Sequence, residues 1–157
     1  VPFSLIDPRD GQTPNVILLQ GSLGAVCRTM PRRAELACHG PVGAIHLLSG
    51  VSGWGFPATS ERSVSLIVRL HYADGATEDH ELTNGEHFAD YIRRVDVPGS
   101  QPAFMLREQQ MRYLAIRPRR TAPIDRLEFV KGPDPTAPVI MAVTLEAATA
   151  AESPTAR

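Results

Sequence analysis

Two short stretches hold most of the side chains suited to molecular recognition. In Ser52-Gly53-Trp54-Gly55-Phe56-Pro57 the only tryptophan stands two residues from a phenylalanine, inside a Gly/Pro-rich loop. Exposed aromatic faces stack on the axial C–H surfaces of sugars, and glycine lets a backbone approach its ligand closely. The competing role for Trp54 is a plug at the end of the core, since a lone tryptophan is commonly buried. The second stretch is Glu78-Asp79-His80-Glu81, followed by Asn84-Gly85-Glu86-His87 and Asp90-Tyr91. Donors and acceptors at this density suit the hydroxyls of a saccharide. They equally suit a solvated hairpin edge with a capped turn. If Gly85–Arg94 forms a helical turn, His87 and Asp90 are spaced i, i+3 and share a face. The candidate ligand-binding set is therefore Trp54, Phe56, Glu86, His87, Asp90 and Tyr91.

Metal chemistry has weaker support. His71, His80 and His87 fall near one hairpin, but no pair has the His-x-x-x-His spacing of a helical zinc site and no cysteine accompanies them. Asp7-Pro8-Arg9-Asp10-Gly11-Gln12-Thr13-Pro14-Asn15 is turn-rich and supplies the oxygen side chains that calcium prefers. Asp7 and Asp10 also serve simply as turn residues beside proline and glycine. The chain contains no Gly-x-Ser-x-Gly elbow, phosphate-binding glycine loop or dinucleotide fingerprint. A catalytic site is accordingly not expected.

The elements that must position these residues are short and punctuated by turns. Apolar segments at Phe3–Ile6, Asn15–Leu19, Ala34–Cys38, Ala44–Leu48, Val64–Tyr72, Thr77–Leu82, Arg112–Arg117, Ile124–Val130 and Val139–Glu146 read as strands. Fourteen prolines and 12 glycines separate them, which fits an all-β sandwich or barrel better than a βαβ fold. At most one or two short helices are expected, and the best candidate is Gly85–Arg94, with Phe88, Tyr91 and Ile92 on one face. The clearest hairpin joins Val64–Tyr72 to Thr77–Leu82 through Ala73-Asp74-Gly75. Val64, Leu66, Val68, Leu70 and Tyr72 share a face there, and Asp74-Gly75 suggests a primed turn. Val139–Leu145 is apolar on both faces until Thr144, as expected of a strand covered on both sides.

At 157 residues and 43% hydrophobic, the chain suits one domain with a substantial core. We expect that domain over residues 1–146, with a flexible tail or linker over 147–157. A net charge of −1, with scattered arginine pairs such as Arg32-Arg33, offers nucleic acid no concentrated basic surface. No apolar run approaches the roughly eighteen residues of a membrane span. Val1–Ile6 lacks the regions of a signal peptide, and the absent initiator methionine suggests a processed chain or a domain of a longer one. Cys27 and Cys38 fit either a short-loop disulfide or two free thiols.

Val1-Pro2-Phe3-Ser4-Leu5-Ile6-Asp7-Pro8, Asn15–Leu19, Ala44–Leu48, Tyr72-Ala73-Asp74-Gly75 and Ala137–Glu146 resemble the galactose-binding-like (NPCBM-like) β-sandwich modules attached to many glycoside hydrolases. Gly53–Pro57, Asn84–Tyr91 and Lys131-Gly132-Pro133-Asp134 further resemble the C-terminal domain of large planctomycete proteins that carry c-type haem domains. The resemblance implies an antiparallel jelly-roll β-sandwich, an extracytoplasmic setting and a non-catalytic carbohydrate-binding role as an accessory domain. Its partners would then be a polysaccharide or glycan and other domains of the parent protein. It also implies a structural calcium held by Asp7, Asp10 and Glu146, at places where such modules often keep one. The alternative is a structural or protein-interaction domain packed against its neighbours. A small hydrolase is a weaker third reading.

Overall fold

The computed structural model describes residues 1–52, 62–88, 96–106 and 109–148. Its elements are β1 (Ile17–Leu18), α1 (Ala25–Thr29), β2 (Arg33–Ser52), β3 (Val64–Tyr72), β4 (Thr77–Thr83), β5 (Gln101–Leu106), β6 (Gln109–Ile116), β7 (Pro123–Lys131) and β8 (Ala137–Ala147). The described chain is all-β apart from the single short α1. Every strand pair is antiparallel, along the order β1-β8-β2-β7-β3-β4, with β6 pairing both β2 and β5.

The long β2 organises the molecule. Its first half pairs with β7, from Arg33↔Val130 to Pro41↔Pro123. Its second half pairs with β8, from Val42↔Ala147 to Ser52↔Ala137, and also with β6. Since β7 ends where the connection to β8 begins, β2 runs away from that connection and then returns to it. A register shift between Ala37 and Gly40, with Gly40 at φ +150°, makes the bend. A bulge with an extra unpaired residue bends a strand, and glycine accepts this backbone without a Cβ clash. Two expected strands, Ala34–Cys38 and Ala44–Leu48, are thus one.

One core fills the space enclosed by this bend. Leu66, Val68 and Leu70 of β3, Leu127 and Phe129 of β7, Ile45 and Leu47 of β2, and Leu114 and Ile116 of β6 are buried in one cluster. Alternation along each strand sends them to a common side. Burial of each such side chain contributes about 1.5–3 kcal/mol. The expected inward row of β3 is seen, with Val64 only partly buried at its start.

The β3–β4 turn differs from the expected primed form. Gly75 alone has positive φ, at +85°, while its N–H donates to Tyr72 O at 2.9 Å. That is a three-residue loop closed by a left-handed glycine. Phe3–Ile6 is not a strand: Thr144 Oγ1 donates to Pro2 O at 2.8 Å, and Phe3 meets Tyr113 edge-on. Within the expected helix, residues 85–88 instead form a turn, with Phe88 bridging back to Asn84 and buried in the core; residues 89–94 lie outside the described residues. Strand β8 runs to Ala147, and Ala148 N–H donates to Pro41 O. The rest of the expected tail lies outside the described residues. The two cysteines are unbridged, and burial, with a smaller effect of Asp125, pushes the Cys38 thiol up.

Candidate functional site

Strand β3 pairs with both β4 and β7, which brings three separate segments to one end of the fold. Arg62, which follows the Trp54 loop in the chain, pairs with Glu86 at 3.0 Å. Asn84 N–H donates to Ser63 O, and Gly132 N–H donates to Ser65 O at 2.8 Å. The flanks of Gly53–Pro57, the start of Asn84–Tyr91 and the turn Lys131–Asp134 therefore adjoin. Of the six expected ligand residues, Trp54, Phe56, Asp90 and Tyr91 lie outside the described residues. Glu86 and His87 are described, and both stand at this end.

Neither is idle. Glu86 faces Arg62, and its carbonyl accepts from Gly99 N–H at 2.7 Å. His87 Nδ1 accepts from Thr83 N–H at 3.1 Å, so the ring proton sits on Nε2. Burial holds the imidazole below its ordinary range, with Glu86 opposing and Arg62 reinforcing the shift. Gly99 is required beside them, because a Cβ there would lie 2.8 Å from Glu86 O and 3.0 Å from the imidazole. What remains for recognition is a neutral ring with one donor.

Around Asp134 lies a buried polar knot. Asp134 Oδ2 accepts from Ser65 Oγ at 2.5 Å, Asn84 Nδ2 at 2.6 Å and Ser63 Oγ at 3.2 Å. Its Oδ1 accepts from Lys131 Nζ at 3.0 Å, Thr136 Oγ1 at 2.8 Å and Thr136 N–H at 3.1 Å. Lys131, the only lysine in the chain, also donates to the Gly132 and Asp134 carbonyls. A buried ion pair is tolerable only when its remaining lone pairs and protons are satisfied in this way. Gly132 leaves no alternative residue, since a Cβ would lie 2.2 Å from Val64 O. The motif Lys131-Gly132-Pro133-Asp134 thus ties β3, β4, β7 and β8 together.

An open cleft of about 320 Å³ borders the knot. Gln20, Gly21 and Ser22 line one side and Lys131–Asp134 another, while Arg28 and Arg32 supply the charge. Gln20 holds this edge: its Oε1 accepts from Arg32 Nη1 at 3.0 Å and its Nε2 donates to Arg28 O at 3.2 Å.

The polar run Glu78–Glu81 does not form one site. Strand alternation turns Glu78 and His80 toward Tyr72, and Asp79 toward Arg69 on the other face. Burial raises Glu78, but hydrogen bonds from Tyr72 Oη, Arg119 N–H and His80 outweigh it and hold the carboxyl below the usual range. Burial and the Glu78 contact push the Tyr72 phenol up to about 12. Asp79 forms a two-point contact with Arg69 at 2.7 and 2.8 Å. His71 meets Glu128 and Arg126 instead. His71, His80 and His87 consequently occupy three environments.

Of the residues expected to hold calcium, Asp7 Oδ1 accepts from Arg9 N–H at 2.9 Å and Asp10 sits in the same turn at φ +55°. Glu146 is engaged elsewhere, accepting from His46 Nε2 at 3.1 Å. The other ring nitrogen of His46 accepts from Tyr113 Oη at 2.9 Å. Among the described residues, no group of three or more His, Cys, Asp and Glu side chains is placed to hold a metal ion. The carboxylate–imidazole–phenol line Glu146–His46–Tyr113 went unread in the sequence. Its members stand 67 and 100 residues apart and carry no local pattern. No protein-family model matches this sequence, and no curated protein shows significant similarity to it.

Proposed function

We propose that this chain is a non-catalytic carbohydrate-binding module of a larger extracytoplasmic protein, folded as a galactose-binding-like jelly-roll sandwich. One observation carries the reading. The flanks of the Trp54 loop, the Asn84–Phe88 turn and the Lys131–Asp134 turn adjoin at one end, linked by Arg62–Glu86 and by Asp134. An aromatic loop beside polar groups on a rigid strand frame is the arrangement that sugar recognition uses. The non-catalytic role is supported by the carboxylates themselves, since Glu78, Glu128 and Asp134 are each absorbed in local pairs. Affinity electrophoresis of the intact chain against a panel of polysaccharides tests this. Retardation by at least one polymer, lost in Trp54→Ala, is expected; unretarded migration in all of them contradicts the proposal.

A second reading, packing against other domains of the parent protein, is favoured by an apolar groove of about 350 Å³ on another face. It is lined by Ile6, Val16, Leu36, Met141 and Val143 among others. Ile6, Val16 and Leu36 are exposed, as is Leu145 on the same strand as Met141 and Val143. Contiguous exposed apolar surface of this kind marks interaction sites. This reading predicts that the parent's remaining domains bind the isolated chain, and that Leu36→Glu abolishes the complex.

A further inference from the structure

The geometry points to the cleft at Arg28 and Arg32 as an anion subsite, which we propose takes the carboxylate or sulfate group of an acidic saccharide; this rests on the carbohydrate-binding reading. Arg33, Arg62, Arg69, Arg120 and Arg126 each meet a carboxylate. Among the described residues, no carboxylate meets Arg28 or Arg32. Asp134, the only acid among the described residues lining the cleft, has a side chain 1% exposed and is consumed by Lys131 and its hydrogen-bonding neighbours. The cleft surface is therefore cationic, although the chain as a whole carries a net charge of −1.

Arg32 is also positioned without being neutralised. Its partner is the Gln20 amide, which fixes one Nη and leaves the remaining guanidinium donors for a planar anion. The same Gln20 grips the Arg28 carbonyl, so both arginine-bearing positions are tied to one rigid anchor. Gly21 keeps that anchor close to β8: a Cβ there would lie 2.7 Å from the Ala137 Cβ. The positive field also reaches inward, where Arg32 adds to the burial that depresses Lys131. The cleft shares the Lys131–Asp134 turn with the knot that holds Ser63 and Asn84, and so adjoins the end where Arg62 and Glu86 pair.

The test compares the intact chain binding a trigalacturonate, a sulfated galactose oligomer, the neutral galactose trimer and inorganic sulfate, by calorimetry at low and high salt. The acidic oligomers should bind about tenfold or more tighter than the neutral one, as expected for a charge-assisted contact. That advantage should shrink in high salt, vanish in Arg28→Ala/Arg32→Ala and partly persist in Arg32→Lys. Preference for one acidic oligomer over the other identifies carboxylate or sulfate as the group recognised. Equal affinity for acidic and neutral oligomers, or an advantage that survives the double substitution, overturns the subsite while leaving carbohydrate binding intact. Binding of inorganic sulfate alone, with no oligomer bound, overturns both. Both arginines are exposed, so unchanged thermal unfolding of the variants separates lost binding from lost folding.

Discussion

The Lys131 ammonium lies 3.0 Å from the Asp134 carboxylate, with the two side chains only 4% and 1% exposed. Burial, aided by Arg32, pushes the lysine down from its ordinary range, and the pairing with Asp134 opposes that shift. Removing one partner strands the other charge and several donors. Asp134→Ala should therefore destabilise the fold by about 3–5 kcal/mol in urea unfolding. Lys131→Met should cost a comparable amount, and a double substitution to apolar residues should recover part of the loss. Single substitutions costing less than ~1 kcal/mol would show that the knot is not what ties these strands.

Gly132 and Gly75 separate two reasons for glycine. At Gly132 a Cβ would meet backbone of Val64 and Ser65 at 2.2–2.8 Å, which cannot swing aside. At Gly75 nothing lies within 4 Å, and only the positive φ, +85°, resists a side chain. Gly75→Ala should cost about 1–2 kcal/mol. Gly132→Ala should cost at least as much, because overpacking there forces β3 away from the 131–134 turn. Thermal or urea unfolding of the two variants checks the order.

His87 makes stability depend on pH. Its folded-state pKa lies below 6.5, so between that value and 6.5 the unfolded chain binds a proton that the folded chain refuses. Its contribution is complete above about pH 6.5 and is lost as pH falls from there to the folded value. His87→Asn retains an acceptor for Thr83 N–H but does not titrate. The difference between wild-type and variant unfolding free energies should therefore change across this window; parallel curves would contradict the assignment.

Glu146 tests the calcium expectation. Its carboxylate accepts from His46, and Asp7 is used within its own turn. Thermal unfolding should accordingly be the same in EDTA and in millimolar calcium, while Glu146→Ala should lower stability by about 0.5–1.5 kcal/mol through the lost hydrogen bond. A calcium-dependent rise in Tm that disappears in Glu146→Gln would instead support a site with Asp7 and Asp10.

Much of the frame is legible in alternation. Val64–Tyr72 coincides with β3, and β4, β7 and β8 begin and end within two residues of the segments expected for them. Gly40-Pro41 reads as a break between two strands, because local sequence cannot distinguish a turn from a bend held by tertiary pairing. Strand β5 is hidden by Pro102, which is tolerated since among the described residues β5 pairs only with β6. The run Glu78–Glu81 looks like one cluster only if its alternation is ignored. Lys131–Asp134 stands out as a motif, but its purpose depends on Ser65 and Asn84, 69 and 50 residues from Asp134. Arg28 and Arg32 carry no motif, and Gln20 joins them through folded geometry alone.

Saccharide titration followed by amide chemical shifts tests the central claim most directly. With a polysaccharide fragment that retards the chain, shifts should concentrate at Glu86, His87, Gly99 and the Lys131–Asp134 turn, and Trp54→Ala should suppress them. Shifts at the Ala73–Gly75 turn or along the Ile6–Leu36 groove, with the loop end unmoved, would contradict it.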